Sequence, residues 1–197
     1  MNHQTLLDRI LKAVDAQAYL PFADAVEGPA RDAMALIEAE LRRPDFDVTA
    51  TRALAHDLFK RGRIDSVMLH SALHVIAASP RVQDWEEAAR QIGEQEVAAL
   101  RVGGPNLEGH LASVDRHRGV LAFLMGQYEV ALDYFSRAFE RQRNAGNLAN
   151  VLAALLRLGE EREARELLDQ VRSAFPADLV KRIDEMIGLD PDLALLR

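Results

Sequence analysis

Residues 126–131 read GQYEVA, and a similar stretch, GEEREA, occurs at residues 159–164. This repetition is the strongest indication of the fold in the sequence. Each begins with glycine and ends with alanine, and Phe135 and Leu168 follow their respective alanines by four residues. A period of 33 residues indicates an antiparallel helix pair that stacks on its neighbours, since one pair alone cannot bury its apolar face. The glycine suits the tight turn between the helices, and the alanine lets them approach closely.

The residues at these positions resemble those of the tetratricopeptide repeat (TPR) family, most clearly over residues 112–176. The matching positions are Gly119, Gly126, Tyr128, Ala131, Phe135 and Ala138 in the first repeat and Leu148, Leu155, Gly159, Ala164, Leu168 and Pro176 in the second. The sequence departs from the family at Asp115, Arg118 and Arg143, where apolar residues or proline are usual. The resemblance implies an all-α fold of stacked antiparallel helix pairs, a TPR-like α-solenoid with a right-handed superhelix. A helical bundle with coincidental spacing is the alternative.

Two regions are predicted on either side of Gly103-Gly104-Pro105, the clearest interruption of the helical periodicity. Residues 1–102 form a divergent N-terminal helical half with one degenerate repeat at residues 48–81. Residues 106–188 hold the two clearer repeats and a C-terminal capping helix. Apolar spacing predicts about ten or eleven helices in all, beginning with one over residues 3–17.

Composition excludes several classes of function. The 197 residues include no cysteine, which removes disulfides, thiolate zinc sites, iron–sulfur clusters and a cysteine nucleophile. The net charge of −7 argues against nucleic-acid binding, which needs a basic surface. The first residues lack the basic and apolar segments of a secretion signal, and no apolar stretch is long enough to span a membrane. We therefore expect a cytoplasmic protein that binds neither membrane nor nucleic acid, and the preference for arginine over lysine suggests a bacterial source.

Histidines are the only residues whose spacing suggests chemistry. His70 and His74 lie four residues apart on a predicted helix and could share a Zn²⁺ ion. However, serine follows His70, where a metalloprotease helix carries glutamate, so a packing role is favoured. His110 and His117 could titrate as a pair, but no Ser-His-Asp or paired-carboxylate arrangement accompanies them. The sequence therefore predicts no catalytic residue, no metal site and no cofactor.

The family resemblance implies a binding groove lined by the first helix of each pair. Carried onto this chain, its lining residues are Arg116, His117, Val120, Asn150, Ala153 and Arg157. This set contains cations and an amide but no acid, so we expect it to hold an acidic or carboxylate-bearing segment through charge-assisted hydrogen bonds. Protonation of His117 near its ordinary pKa of about 6.5 would tighten that hold. Alternatively, these polar residues only solvate an unused surface.

The expected function is a non-catalytic protein–protein interaction module, an adaptor or scaffold that holds a partner segment in a concave helical groove. Two alternatives come from other classes. A regulatory sensor domain would bind a small molecule or signalling peptide in a deep cavity, and a histidine-based metal hydrolase would contain bound Zn²⁺. A homodimer is a further option, since terminal repeats with exposed apolar faces self-associate. The sequence does not identify the partner.

Overall fold

The structure is a computed structural model that describes residues 29–197, with side chains from residue 33 onward. Over these residues it is all-helical, without strands. The helices are α1 (Pro29–Arg42), α2 (Val48–Lys60), α3 (Ser66–Ala78), α4 (Trp85–Val102), α5 (Leu107–Leu124), α6 (Tyr128–Arg141), α7 (Ala145–Arg157), α8 (Glu161–Ala174), α9 (Ala177–Leu189) and a 3₁₀ helix (Pro191–Leu196). The helix predicted over residues 3–17 lies outside the described residues. Among the described helices, none has the length and apolar character needed to cross a bilayer.

Polar residues set the starts of several helices. The side chains that accept hydrogen bonds from free first-turn amides are Asp47 before α2, Asp65 before α3, Asp84 before α4 and Asn144 before α7. These amides have no partner within their own helix, so each cap removes the cost of an unsatisfied donor. Helix α1 begins at Pro29, and a proline is well suited to the first helical position because the amide that it lacks would have no partner within the helix.

The same turn ends α2, α5 and α7. In each, a glycine at φ +65° to +81° follows the helix, at Gly62, Gly126 and Gly159. The amide after each glycine donates to a carbonyl in the last turn of the helix, over 2.9 Å from Gln127 to Ala122 and 3.0 Å from Glu160 to Leu155. This is the Schellman motif, in which a side chain at the left-handed position would be strained. The repeated glycine therefore marks a repeated turn.

The described chain divides by packing into two compact units, here called the first unit, up to His117, and the second unit, from Arg118 to Arg197. The division falls inside α5. Residues 103–105 form the break between α4 and α5, and the domain boundary expected there stays a prediction.

In the first unit, each helix from α1 to α4 packs on the next, and α3 and α4 share the largest contact. The core between α1, α2 and α3 includes Ile37, Leu58 and Ile76. Helices α3 and α4 present Ala77, Ala88 and other small residues that are fully buried, so their backbones can approach closely.

In the second unit, α7 packs against α6, α8, α9 and the 3₁₀ helix. Its core is built from large apolar side chains, among them Phe135, Phe139, Leu148, Leu152 and Leu167. Ala131 and Ala164 are fully buried, as their positions in the repeats predict. Adjacent helices therefore pack as pairs throughout this unit.

Candidate functional site

A group of buried polar side chains in the first unit lies on α3, α4 and the first part of α5. His74 and Gln95 are each 1% exposed, and His117 is 6% exposed. Together with Ser113 and Arg116, which are half-buried, these residues are here called the histidine cluster. Buried polar groups of this kind need hydrogen-bond partners, so the bonds they make decide what the cluster can do.

Both imidazoles of the cluster are held through Nδ1. His117 Nδ1 donates to Gln95 Oε1 over 2.8 Å, and His74 Nδ1 donates to the carbonyl oxygen of Ala88 over 3.2 Å. Because each acceptor is a carbonyl-type oxygen, the hydrogen of each neutral ring sits on Nδ1 and its Nε2 carries a lone pair. The ring centroids lie 4.7 Å apart, with the planes tilted by 31°.

Ser113 joins the glutamine and the arginine of the cluster. Gln95 Nε2 and Arg116 Nη2 each donate to Ser113 Oγ over 3.4 Å. Within the described part of the chain, Arg116 makes no ion pair with a carboxylate. The cluster therefore contains a cation that no acid of residues 33–197 neutralises.

Burial keeps both histidines neutral. It lowers the pKa of His74 from 6.5 to about 4; the hydrogen bond to Ala88 opposes this shift and the positive charge of Arg116 adds to it. Burial also lowers the pKa of His117 well below its ordinary value, as do the charges of Arg116 and His74. The expectation that His117 becomes charged near pH 6.5 is therefore wrong, because it assumed an exposed ring.

His70 belongs to a separate chain of hydrogen bonds. Its Nδ1 donates to Gln91 Oε1 over 2.7 Å, and Gln91 Nε2 donates to Glu87 Oε1 over 2.8 Å. Arg90 pairs with the same carboxylate, and its hydrogen bond lowers the pKa of Glu87. His70 and His74 thus have different partners. In the described ranges, no group of three histidine or acidic side chains is placed to hold a metal ion.

The six residues predicted to line a groove fall in both units. Arg116 and His117 belong to the first, and Val120, Asn150, Ala153 and Arg157 belong to the second. His117 and Ala153 are buried, and Arg157 alone among the six is exposed. The ring of His117 is buried and its Nδ1 is bonded to Gln95, so it does not lie on an exposed surface that could line a groove. A single surface shared by all six residues stays a prediction.

Arg157 already holds a carboxylate. Its Nη2 donates to Oδ1 of Asp192 in the 3₁₀ helix over 2.5 Å, and this bond raises the pKa of Arg157. The guanidinium carbon lies 5.9 Å from the ring centroid of Phe123, which meets Tyr128 edge-on at 5.2 Å. A carboxylate can therefore bind at this position.

Sequence reasoning missed Gln91, Gln95 and Asp192. A signal for the glutamines was present: Gln91 and Gln95 lie four residues apart on α4, as His70 and His74 do on α3, so each helix carries a matching polar pair on its packed side. No such signal marked Asp192, which is 35 residues from Arg157.

No protein-family model, curated protein or solved structure matches this chain.

Proposed function

We propose that the second unit is a TPR-like repeat, and that its alternate helices form a surface for an acidic segment of a partner protein. The function is non-catalytic, and the composition suggests that it is exercised in the cytoplasm. The observation that carries this proposal is the packing of every second helix. Helix α7 packs against α9, two helices further on, and Arg157 at the end of α7 lies over Phe123 of α5, two helices earlier. In a stacked array of helix pairs, the first helices of successive pairs are neighbours in this way.

The equivalence of the two pairs supports the same proposal. Helices α5 and α7 both end in a Schellman turn, at Gly126 and Gly159, and both lead into a second helix with a buried alanine near its start. The first pair also contains a close approach, since Gly119 of α5 lies directly against the ring of Phe135 of α6. The 33-residue period thus corresponds to a repeated local structure.

The proposed surface runs along one face of α7. Asn150 and Arg157 are spaced at i and i+7, which puts them on the same side of the helix, and the buried Ala153 at i+3 lies between them. Asp192 pairs with the guanidinium of Arg157, at the position that we assign to an acidic residue of the partner. A partner segment would replace it, because the planar guanidinium can bind a carboxylate through two parallel hydrogen bonds.

Removing the internal competitor tests the proposal. The probe is a fluorescein-labelled peptide of alternating glutamate and alanine with a free C-terminal carboxylate, and binding is measured by fluorescence anisotropy. An exposed ion pair contributes about 0.2–1 kcal/mol, so Asp192→Asn should lower the Kd by up to about fivefold. Arg157→Ala should raise the Kd, and the same peptide with lysine in place of glutamate should not bind.

A matched control separates this effect from overall charge. Asp184 on α9 is also partly exposed and pairs with Arg172 over 2.7 Å, so Asp184→Asn changes the net charge equally at another place. We expect this control to leave the Kd unchanged. If Asp184→Asn and Asp192→Asn alter the Kd to the same extent, or if Arg157→Ala has no effect, the proposed surface is wrong.

A further inference from the structure

We propose that the histidine cluster is a binding site for a small oxyanion, which it takes up together with a proton. The site lies in the first unit and does not depend on the function proposed for the second. It involves Arg116, Ser113, His74 and His117, and the ligand is a compact anion with several oxygen atoms, such as sulfate or phosphate.

The charge of Arg116 has no carboxylate partner within the described residues. Other arginines of the chain pair with carboxylates over short distances, for example Arg90 with Glu87 at 2.7 Å and Arg137 with Asp133 at 2.8 Å. Arg116 is half-buried, and its one hydrogen bond within the described residues is the 3.4 Å contact with Ser113. A cation withdrawn from water without a counter-charge is costly, so the site favours an anion that supplies one.

The hydroxyl group of Ser113 can donate a hydrogen bond to an anion. Its oxygen accepts hydrogen bonds from both Gln95 and Arg116, which occupy its two lone pairs. The hydroxyl hydrogen is therefore available to a further acceptor. Ser113 and Arg116 are three residues apart on α5, so their side chains lie on one side of the helix and can serve the same anion.

The two imidazoles can supply a further donor if one of them takes up a proton. Each Nδ1 hydrogen is committed to a carbonyl-type acceptor, and each Nε2 carries a lone pair. A bound anion favours the charged form of a nearby imidazole, so one ring would take a proton from solvent on Nε2 and become a donor to the anion. Protonation of the second ring is opposed because the centroids are only 4.7 Å apart. One anion and one proton therefore bind together.

Neighbouring titratable groups do not change this conclusion. The other buried or half-buried titratable side chains on this part of α3, α4 and α5 are His70, Glu87, Glu96, His110 and Asp115. None of them contributes to the pKa of either ring; the charges that do are Arg116 and, for His117, the ring of His74. Arg116 is thus the charged group that governs these histidines.

A metal ion is the competing ligand. Histidines that bind metal ions also donate their second ring N–H to a carbonyl oxygen, so the free Nε2 of either ring could bind a metal ion. Here the charge of Arg116 opposes a cation, and the described residues supply no third ligand. The electrostatics of the cluster therefore favour an anion over Zn²⁺.

The test follows the imidazole Cε1–Hε1 signals by NMR while the pH is lowered, in sulfate and in chloride of equal ionic strength. Sulfate keeps its charge throughout such a titration. We expect the pKa of His74 or His117 to rise by about one unit or more in sulfate, which corresponds to a tenfold or greater preference of the anion for the protonated ring. Equal pKa values in the two salts would overturn the proposal. The proposal would also be overturned if the imidazole signals did not respond to sulfate but shifted on addition of Zn²⁺.

Two variants keep the test specific. Arg116→Gln should abolish the difference between sulfate and chloride, whereas Arg101→Gln, an exposed arginine in the last turn of α4, should preserve it. Sulfate stabilises proteins generally, so thermal melting is compared between these two variants in both salts. Should Arg116→Gln unfold, Ser113→Ala provides a second test, since it removes the donor and should weaken the sulfate response. If a folded Arg116→Gln variant or the Ser113→Ala variant shows the same difference in imidazole pKa between sulfate and chloride as the unchanged protein, the proposal is wrong.

Discussion

The close contact between Gly119 of α5 and Phe135 of α6 allows the packing of this helix pair to be tested by substitution. A β-carbon added at Gly119 would lie 2.4 Å and 2.5 Å from two ring carbons of Phe135, well inside van der Waals contact. Phe135 is 2% exposed and lies in the core of the second unit, so its ring cannot move into solvent. Gly119→Ala must therefore displace α5 from α6 or force the ring into a strained position.

The expected cost is the difference of two effects. Overpacking costs about 1–3 kcal/mol, whereas replacing glycine by alanine inside a helix stabilises by about 0.5–1 kcal/mol, which leaves a net loss of up to about 2.5 kcal/mol. Gly93 in α4 is the matched control because a β-carbon there would meet nothing within 4 Å. Gly93→Ala should therefore stabilise the protein by about 0.5–1 kcal/mol.

Denaturant unfolding followed by circular dichroism measures both variants. The double variant Gly119→Ala with Phe135→Leu checks the cause: without the aromatic ring, the alanine should cost less, with a coupling energy of about 0.5–3 kcal/mol. If Gly119→Ala is as stable as Gly93→Ala, or if the two changes at the contact are additive, the close approach of α5 and α6 is not what positions this helix pair.

Two further predictions concern packing and pH. Ala164→Leu should destabilise the protein by about 1–3 kcal/mol in the same unfolding assay, because Ala164 is fully buried between helices; an unchanged midpoint would show that α8 does not pack as described. His74 has a pKa of about 4 when folded and about 6.5 when unfolded, so the unfolded chain binds more protons between these values. The contribution of His74 should be complete above pH 6.5 and fall by about 3 kcal/mol towards pH 4, and His117, whose pKa is also lowered, adds to this loss of stability. His74→Gln should therefore make the profile less steep without abolishing it; a profile equally steep in the variant would exclude His74 as a source.

Helix boundaries could be predicted from the sequence because they depend on neighbouring residues. Asp47 caps α2 through amides two and three residues away, and Gly126 ends α5 through its own backbone conformation. These interactions need no distant part of the chain. The all-helical class and the pairing of adjacent helices followed from such local signals and from the 33-residue period.

The site could not be predicted in the same way, because its contacts join distant residues. His117 bonds to Gln95 across 22 residues, and Arg157 bonds to Asp192 across 35. Charge and exposure at these positions are properties of packing: the sequence suggests a histidine that titrates near pH 6.5, whereas burial beside Arg116 keeps it neutral. The sequence thus determined where helices begin, end and repeat, since those choices are made by short-range hydrogen bonds and backbone conformation. Which polar side chains lose contact with water, and which partners they then bond to, depends on tertiary packing, because desolvation is set by every element packed around a side chain.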